Sequence, residues 1–262
     1  MNGTVLYFAR ENYSFLLREA LEDISSGMPP AAESFFTISF SYRILALCAM
    51  LQEADVEAFK NFLCKSGYAR LYFLRLTSDG RVFPPKFLCA SKNLPFTDAL
   101  AAGDLNTASS IAILSPQTHF DGVEYEDDFL FFHFLHRIIC DPENHRQHEQ
   151  ILSRWNDVLE DASSSYLNIC RALLLGDENY FESAFDSFIE RRTEALSEWK
   201  ETLTFDPELE ATEGKIFIEG LAVLRIAEIK GIPTRPEYRF VPRLTRIQVG
   251  TPIPSFDSWR ED

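Results

Sequence analysis

The sequence lacks the short motifs that mark common chemistries. It contains no Walker A loop, no dinucleotide fingerprint and no nucleophile elbow, so the phosphate cradles and activated serines those motifs build are not expected. Its five cysteines (Cys48, Cys64, Cys89, Cys140 and Cys170) are odd in number, and no two have CxxC spacing. That pattern argues against a disulfide framework and for reduced, buried thiols in a cytoplasmic protein. Apolar runs are short: Phe129-Leu130-Phe131-Phe132 is soon broken by His133, and no stretch reads as long enough to cross a bilayer. The opening MNGTVLYFARENY has no basic region and no apolar segment with a cleavage site, so export is not expected. No Gly/Ser-rich linker divides the chain, and a single domain over residues 1–262 is the expectation.

Basic residues are also scarce. Forty Asp and Glu stand against 25 Lys and Arg, a formal charge of −15. Such a field repels nucleic acid and anionic membranes, neither of which is expected as a partner. It serves solubility and, in a sharper reading, fast capture of a basic protein. What the chain does have is phenylalanine, 23 residues against three methionines, enough to build a core from bulky rings.

Apolar residues recur at three- and four-residue steps through most of the chain, which predicts an all-α protein: an antiparallel helical bundle or an array of helical hairpins. Helices are expected near 10–25, 31–52, 54–64, 95–102, 104–114, 126–140, 144–161, 164–175, 177–203 and 208–230. Gly27 and Pro29-Pro30 should close the first, and the run from Asp161 to Ser163 should separate two later ones. Residues 70–92, RLYFLRLTSDGRVFPPKFLCASK, leave two readings open. Asp79-Gly80 between aromatic runs suits a small β-hairpin, whereas a helix ending near Leu76 and a surface loop suits Pro84-Pro85. Past residue 232 the prolines Pro233, Pro236, Pro242, Pro252 and Pro254 predict an extended tail over the bundle.

Two stretches share one grammar. ALAAGDLNTASSI at 99–111 and RALLLGDENYFESAF at 171–185 each end an apolar helix in Gly-Asp and begin another. Gly103 and Gly176 fit left-handed helix C-caps, and Asp104 and Asp177 fit the N-caps that follow. Without more glycines and a basic residue neither is a phosphate loop, so both are read as corners. The rhythm Glu178, Glu182, Asp186, Glu190, Glu194, Glu198 reads as a solvated helix face.

Three clusters are candidates for function. His133, His136 and Cys140 fall at i, i+3 and i+7 on one expected helix, where His145 or His148 could complete a zinc site. They carry no recognised zinc spacing, however, and read as packing residues; no metal and no cofactor is expected. HFDGVEYEDDFLFF at 119–132 concentrates Asp121, Glu124, Glu126, Asp127 and Asp128 around Phe120 and Tyr125, with no base nearby in sequence. Acids suit a helix's first turn, but acids with aromatic anchors also suit a binding surface. Asp177, Glu178 and Tyr180 form a second candidate surface.

The stretches ALAAGD at 99–104, ALLLGDENYFESAF at 172–185, GLAVLRIAEIKGI at 220–232 and FVPRL at 240–244 resemble the immunity protein 49 family of bacterial polymorphic toxin systems, over roughly residues 95–245. The resemblance implies an all-α cytoplasmic protein, without catalytic residues, that neutralises a cognate toxin by direct contact. The toxin is expected to be basic, nucleases being one such class. The alternative is a tetratricopeptide-like scaffold or secretion adaptor that binds a peptide or protein partner.

Overall fold

A computed structural model describes residues 2–26, 31–160 and 162–261. The expected breaks at Gly27, Pro29-Pro30 and Asp161 lie outside the described residues. Among those residues the chain forms eleven α-helices and no strand, so the fold is all-α.

The first three helices are α1 (Asn2–Ser25), α2 (Ala32–Glu53) and α3 (Val56–Ser78), with α2 packed between the other two. Three reach beyond their expected bounds or differ from the reading. α1 starts near residue 2 rather than 10, and α3 runs unbroken through Gly67. Gly67 sits inside α3 because an added Cβ there would lie 3.1 Å from Ala99 Cβ and 3.2 Å from Thr107 Cγ2. The glycine lets the next two helices approach closely. α2 also corrects the bilayer reading: by length and composition it suffices to span one, yet most of the helix is buried within the protein.

No hairpin forms at 70–92. Asp79-Gly80 instead ends α3, with Asp79 N–H donating to Arg75 O (2.8 Å), Arg81 N–H to Leu76 O (3.0 Å), and Gly80 at φ +95°. Beyond it, Pro84-Pro85 supplies fixed φ angles and no N–H for a ladder. The chain takes two 3-10 turns, Pro85–Phe87 and Ala90–Lys92.

The remaining helices are α4 (Leu94–Ala102), α5 (Leu105–Leu114), α6 (Glu126–Cys140), α7 (His145–Val158), α8 (Ser165–Leu175), α9 (Glu178–Lys200), α10 (Pro207–Ala211) and α11 (Ile218–Ile229). Neighbours in sequence from α3 to α9 pack on one another, while α11 returns to α4 and α10 to α1. The single helix expected over 208–230 is broken between α10 and α11. There Gly214 N–H bonds Leu209 O (3.0 Å), in a turn so tight that a Cβ on Gly214 would lie 2.3 Å from Glu210 O.

Both Gly-Asp corners are built as expected. Gly103 (φ +80°) and Gly176 (φ +71°) end α4 and α8 in the left-handed region. Asp104 and Asp177 accept from Thr107 N–H (3.1 Å) and Tyr180 N–H (2.7 Å) to start α5 and α9.

The tail beyond α11 is extended apart from two 3-10 turns, Arg243–Thr245 and Phe256–Arg260. It is strapped across α2 and α3: Lys60 Nζ donates to Pro252 O (2.5 Å), Tyr68 Oη to Pro254 O (2.9 Å) and Tyr42 Oη to Trp259 O (2.8 Å). Trp259 is fully buried beside Phe35 and Tyr72, and joins the core cluster that begins at Ala9.

Candidate functional site

The acidic segment is a short, tied-down loop feeding α6. Glu124 accepts from Ser91 N–H (3.0 Å) and Phe120 N–H (3.3 Å), and its carbonyl bonds His119 Nε2 (2.8 Å). One of the five carboxylates therefore closes the loop rather than facing outward, and Phe120 is half-buried. Tyr125, just before α6, is 79% exposed. Glu126, Asp127 and Asp128 occupy the first turn of α6, where the helix dipole favours them, and Asp127 Oδ1 accepts from Asp128 N–H (3.0 Å).

The fold supplies the base that the local sequence lacks. Arg154 on α7 grips Glu126 through Nε (2.7 Å) and Nη2 (2.8 Å), holding its carboxyl below the usual range through that hydrogen bond. Asp121 and Asp128 are exposed, and Asp127 is partly so. The segment presents an exposed aromatic ring and three carboxylates that have no hydrogen-bonded basic partner among the described residues, beside a fourth already engaged.

The second surface is mostly committed to structure. Asp177 caps α9, and Tyr180 packs its ring partly against the core, leaving Glu178 exposed. The face that continues it is not simply solvated. Arg235 in the tail bridges Glu182 (2.7 Å) and Asp186, and Tyr238 Oη donates to Glu182. The α9 acids thus fasten the tail.

The histidines on α6 serve packing. His133 stacks on Phe129 at 5.0 Å, and burial pushes its pKa down to about 4. His136 is fully buried, edge-on to Phe96, with Nε2 accepting from Asn93 Nδ2 (2.9 Å); burial holds it well below the ordinary histidine range. Cys140 Sγ points instead to Ser109 O (3.8 Å). Among the described residues, no three His, Cys, Asp or Glu side chains converge on a metal position. All five thiols are free, and burial pushes Cys48 and Cys64 up to about 11 and about 12.

A buried charge cluster was missed in the sequence. Arg43, inside the apolar run of α2, is fully buried and meets Asp98 on α4 (2.5 Å), Glu213 in the α10–α11 turn (2.5 Å) and Glu219 on α11 (3.0 Å). Ser66 Oγ bonds the other Asp98 oxygen (2.6 Å). One guanidinium faces three carboxylates, so a proton on one of them relieves repulsion. Asp98 is that group: burial pushes it up to about 7 against the pull of Arg43 and Ser66, whereas Glu219, although burial opposes it, is held low by Arg43 and Arg192. Arg43 itself stays well above its ordinary value; burial works against this, but Glu213, Glu219 and Asp98 outweigh it. Arginine amid apolar residues signals a buried ion pair, but its partners come from far along the chain.

Comparison with family models, with curated proteins and with solved structures finds no match to this chain.

Proposed function

We propose that this chain is a cytoplasmic immunity protein that binds a cognate toxin directly and neutralises it, and that it is not an enzyme. The observation that carries this reading is the acidic loop: Tyr125 at 79% exposure, set among Asp121, Asp127 and Asp128 on a backbone fixed by Glu124 and His119. A rigid aromatic anchor amid carboxylates suits a basic protein surface, because the ring loses little conformational freedom and the charges steer the encounter. The formal charge of −15 extends that steering over the whole molecule. The motif resemblance supports the same class, and a basic toxin, a nuclease for example, is the partner it fits.

The test is co-expression with the product of a toxin gene adjoining its own. The chain should rescue growth and co-purify with the toxin. Rescue without a complex, or a toxin that kills unhindered, would remove the immunity reading and leave the scaffold reading in its place.

A further inference from the structure

A cavity of about 440 Å³ opens between α2, α3 and α4, within the range of small-molecule sites. Its walls are chiefly apolar, led by Phe36, Phe40, Phe73 and Leu94, with Phe36 and Phe40 half-buried at the opening. Of the charged lining, Arg43 is already matched by Asp98, Glu213 and Glu219, which leaves Arg70 and Lys92 as the cations facing the cavity without a carboxylate bonded to them among the described residues. Two such cations at one cavity stand out in a chain of formal charge −15.

Arg70 is the unusual group. It is 2% exposed, and its guanidinium lies 5.4 Å from the Phe36 and Phe73 ring centres. It donates to Asn93 Oδ1 (3.3 Å), Phe87 O (2.7 Å) and Leu88 O (3.5 Å), so among the described residues its hydrogen-bond partners are neutral oxygens and include no carboxylate. A buried guanidinium without a counter-anion is costly, and burial lowers its pKa to about 10. Lys92 lies exposed at the same cavity, on the turn that Glu124 pins through Ser91.

We infer that this cavity binds a small amphipathic carboxylate, its apolar body between Phe36, Phe40, Phe73 and Leu94 and its carboxylate toward Arg70 and Lys92. An aromatic-walled cavity desolvates the apolar part, and a carboxylate supplies the charge Arg70 lacks. A single negative charge fits better than a phosphate dianion, because Asp98, Glu213 and Glu219 already surround Arg43 behind the lining. The site is independent of the toxin-binding reading.

The test titrates the full chain with decanoate, below its micelle threshold, and with decylammonium as the charge-reversed control, reading calorimetry and thermal shift. Decanoate should bind one saturable site and raise the melting temperature; decylammonium should not. Lys92→Glu, an exposed change that leaves the core intact, should weaken decanoate binding by about tenfold. Thr37→Trp, at the half-buried cavity wall, should block it. Absence of saturable decanoate binding, equal binding of decylammonium, or decanoate binding untouched by both substitutions would each overturn the inference.

Discussion

Burial sets opposite proton preferences at two side chains. Asp98 holds its proton up to about 7 because burial penalises its anion, while His133 loses its proton down to about 4 because burial penalises its cation. For Asp98 the folded pKa lies above the unfolded value near 4, so its contribution is full below about pH 4 and is lost as pH rises through about 7. For His133 the folded pKa lies below the unfolded one, so its contribution is full above about pH 6.5 and is lost as pH falls through about 4. The two trends oppose each other between those limits, so a single pH profile of the parent conceals both. The difference between the parent and Asp98→Asn isolates the carboxyl. Asparagine can accept from Arg43 through Oδ1 and offer its amide to Ser66 Oγ, which in the parent donates to Asp98 Oδ2. Urea unfolding at several pH values should show the parent losing about 1–3 kcal/mol relative to the variant from pH 4 to 7, with no further change above. A difference that stays constant across that window would place the proton elsewhere in the Arg43 cluster.

At the scale of elements, the local signals read well and the distant ones do not. Gly176 and Asp177 supply a left-handed cap and a side-chain acceptor within two adjacent residues, so the corner was legible. Asp177→Ala should cost about 1 kcal/mol, measured by chemical denaturation, from loss of the Tyr180 N–H bond. An unchanged midpoint would mean that water replaces the cap without loss. The unbroken α3 was less legible, because Gly67 is placed by Ala99 and Thr107 rather than by its own neighbours. Likewise the broken helix at Gly214 and the hairpin that does not form depend on turn geometry that periodicity cannot distinguish. The tail was legible as extended from its prolines, but not its anchor. Trp259 fills a closed aromatic site, and Trp259→Ala should destabilise by about 3–5 kcal/mol through the lost burial and the cavity left behind. A loss below about 1 kcal/mol would show that the strap contributes little to the fold.

At the scale of the whole molecule, charge and shape meet at one loop. The sequence displays five acids at 121–128, but only the fold shows that Glu124 closes the loop and that Arg154 engages Glu126. Under the proposed function the charge offered to a partner falls to Asp121, Asp127 and Asp128, with Tyr125 as anchor and Phe120 in support. Reversing those three carboxylates leaves the Glu126–Arg154 pair and the Glu124 bonds in place, so the variant should remain folded. Attraction across a Debye length accelerates encounter at low salt and fades as salt rises. The most direct test of the proposed function is the association rate between this chain and its toxin, measured over a salt series for the parent and for the Asp121→Lys, Asp127→Lys, Asp128→Lys variant. The parent should associate at least about tenfold faster than the variant at low salt, with the two rates converging at high salt. Equal rates at every salt concentration, with the variant folded, would show that this acidic loop is not the toxin-binding surface.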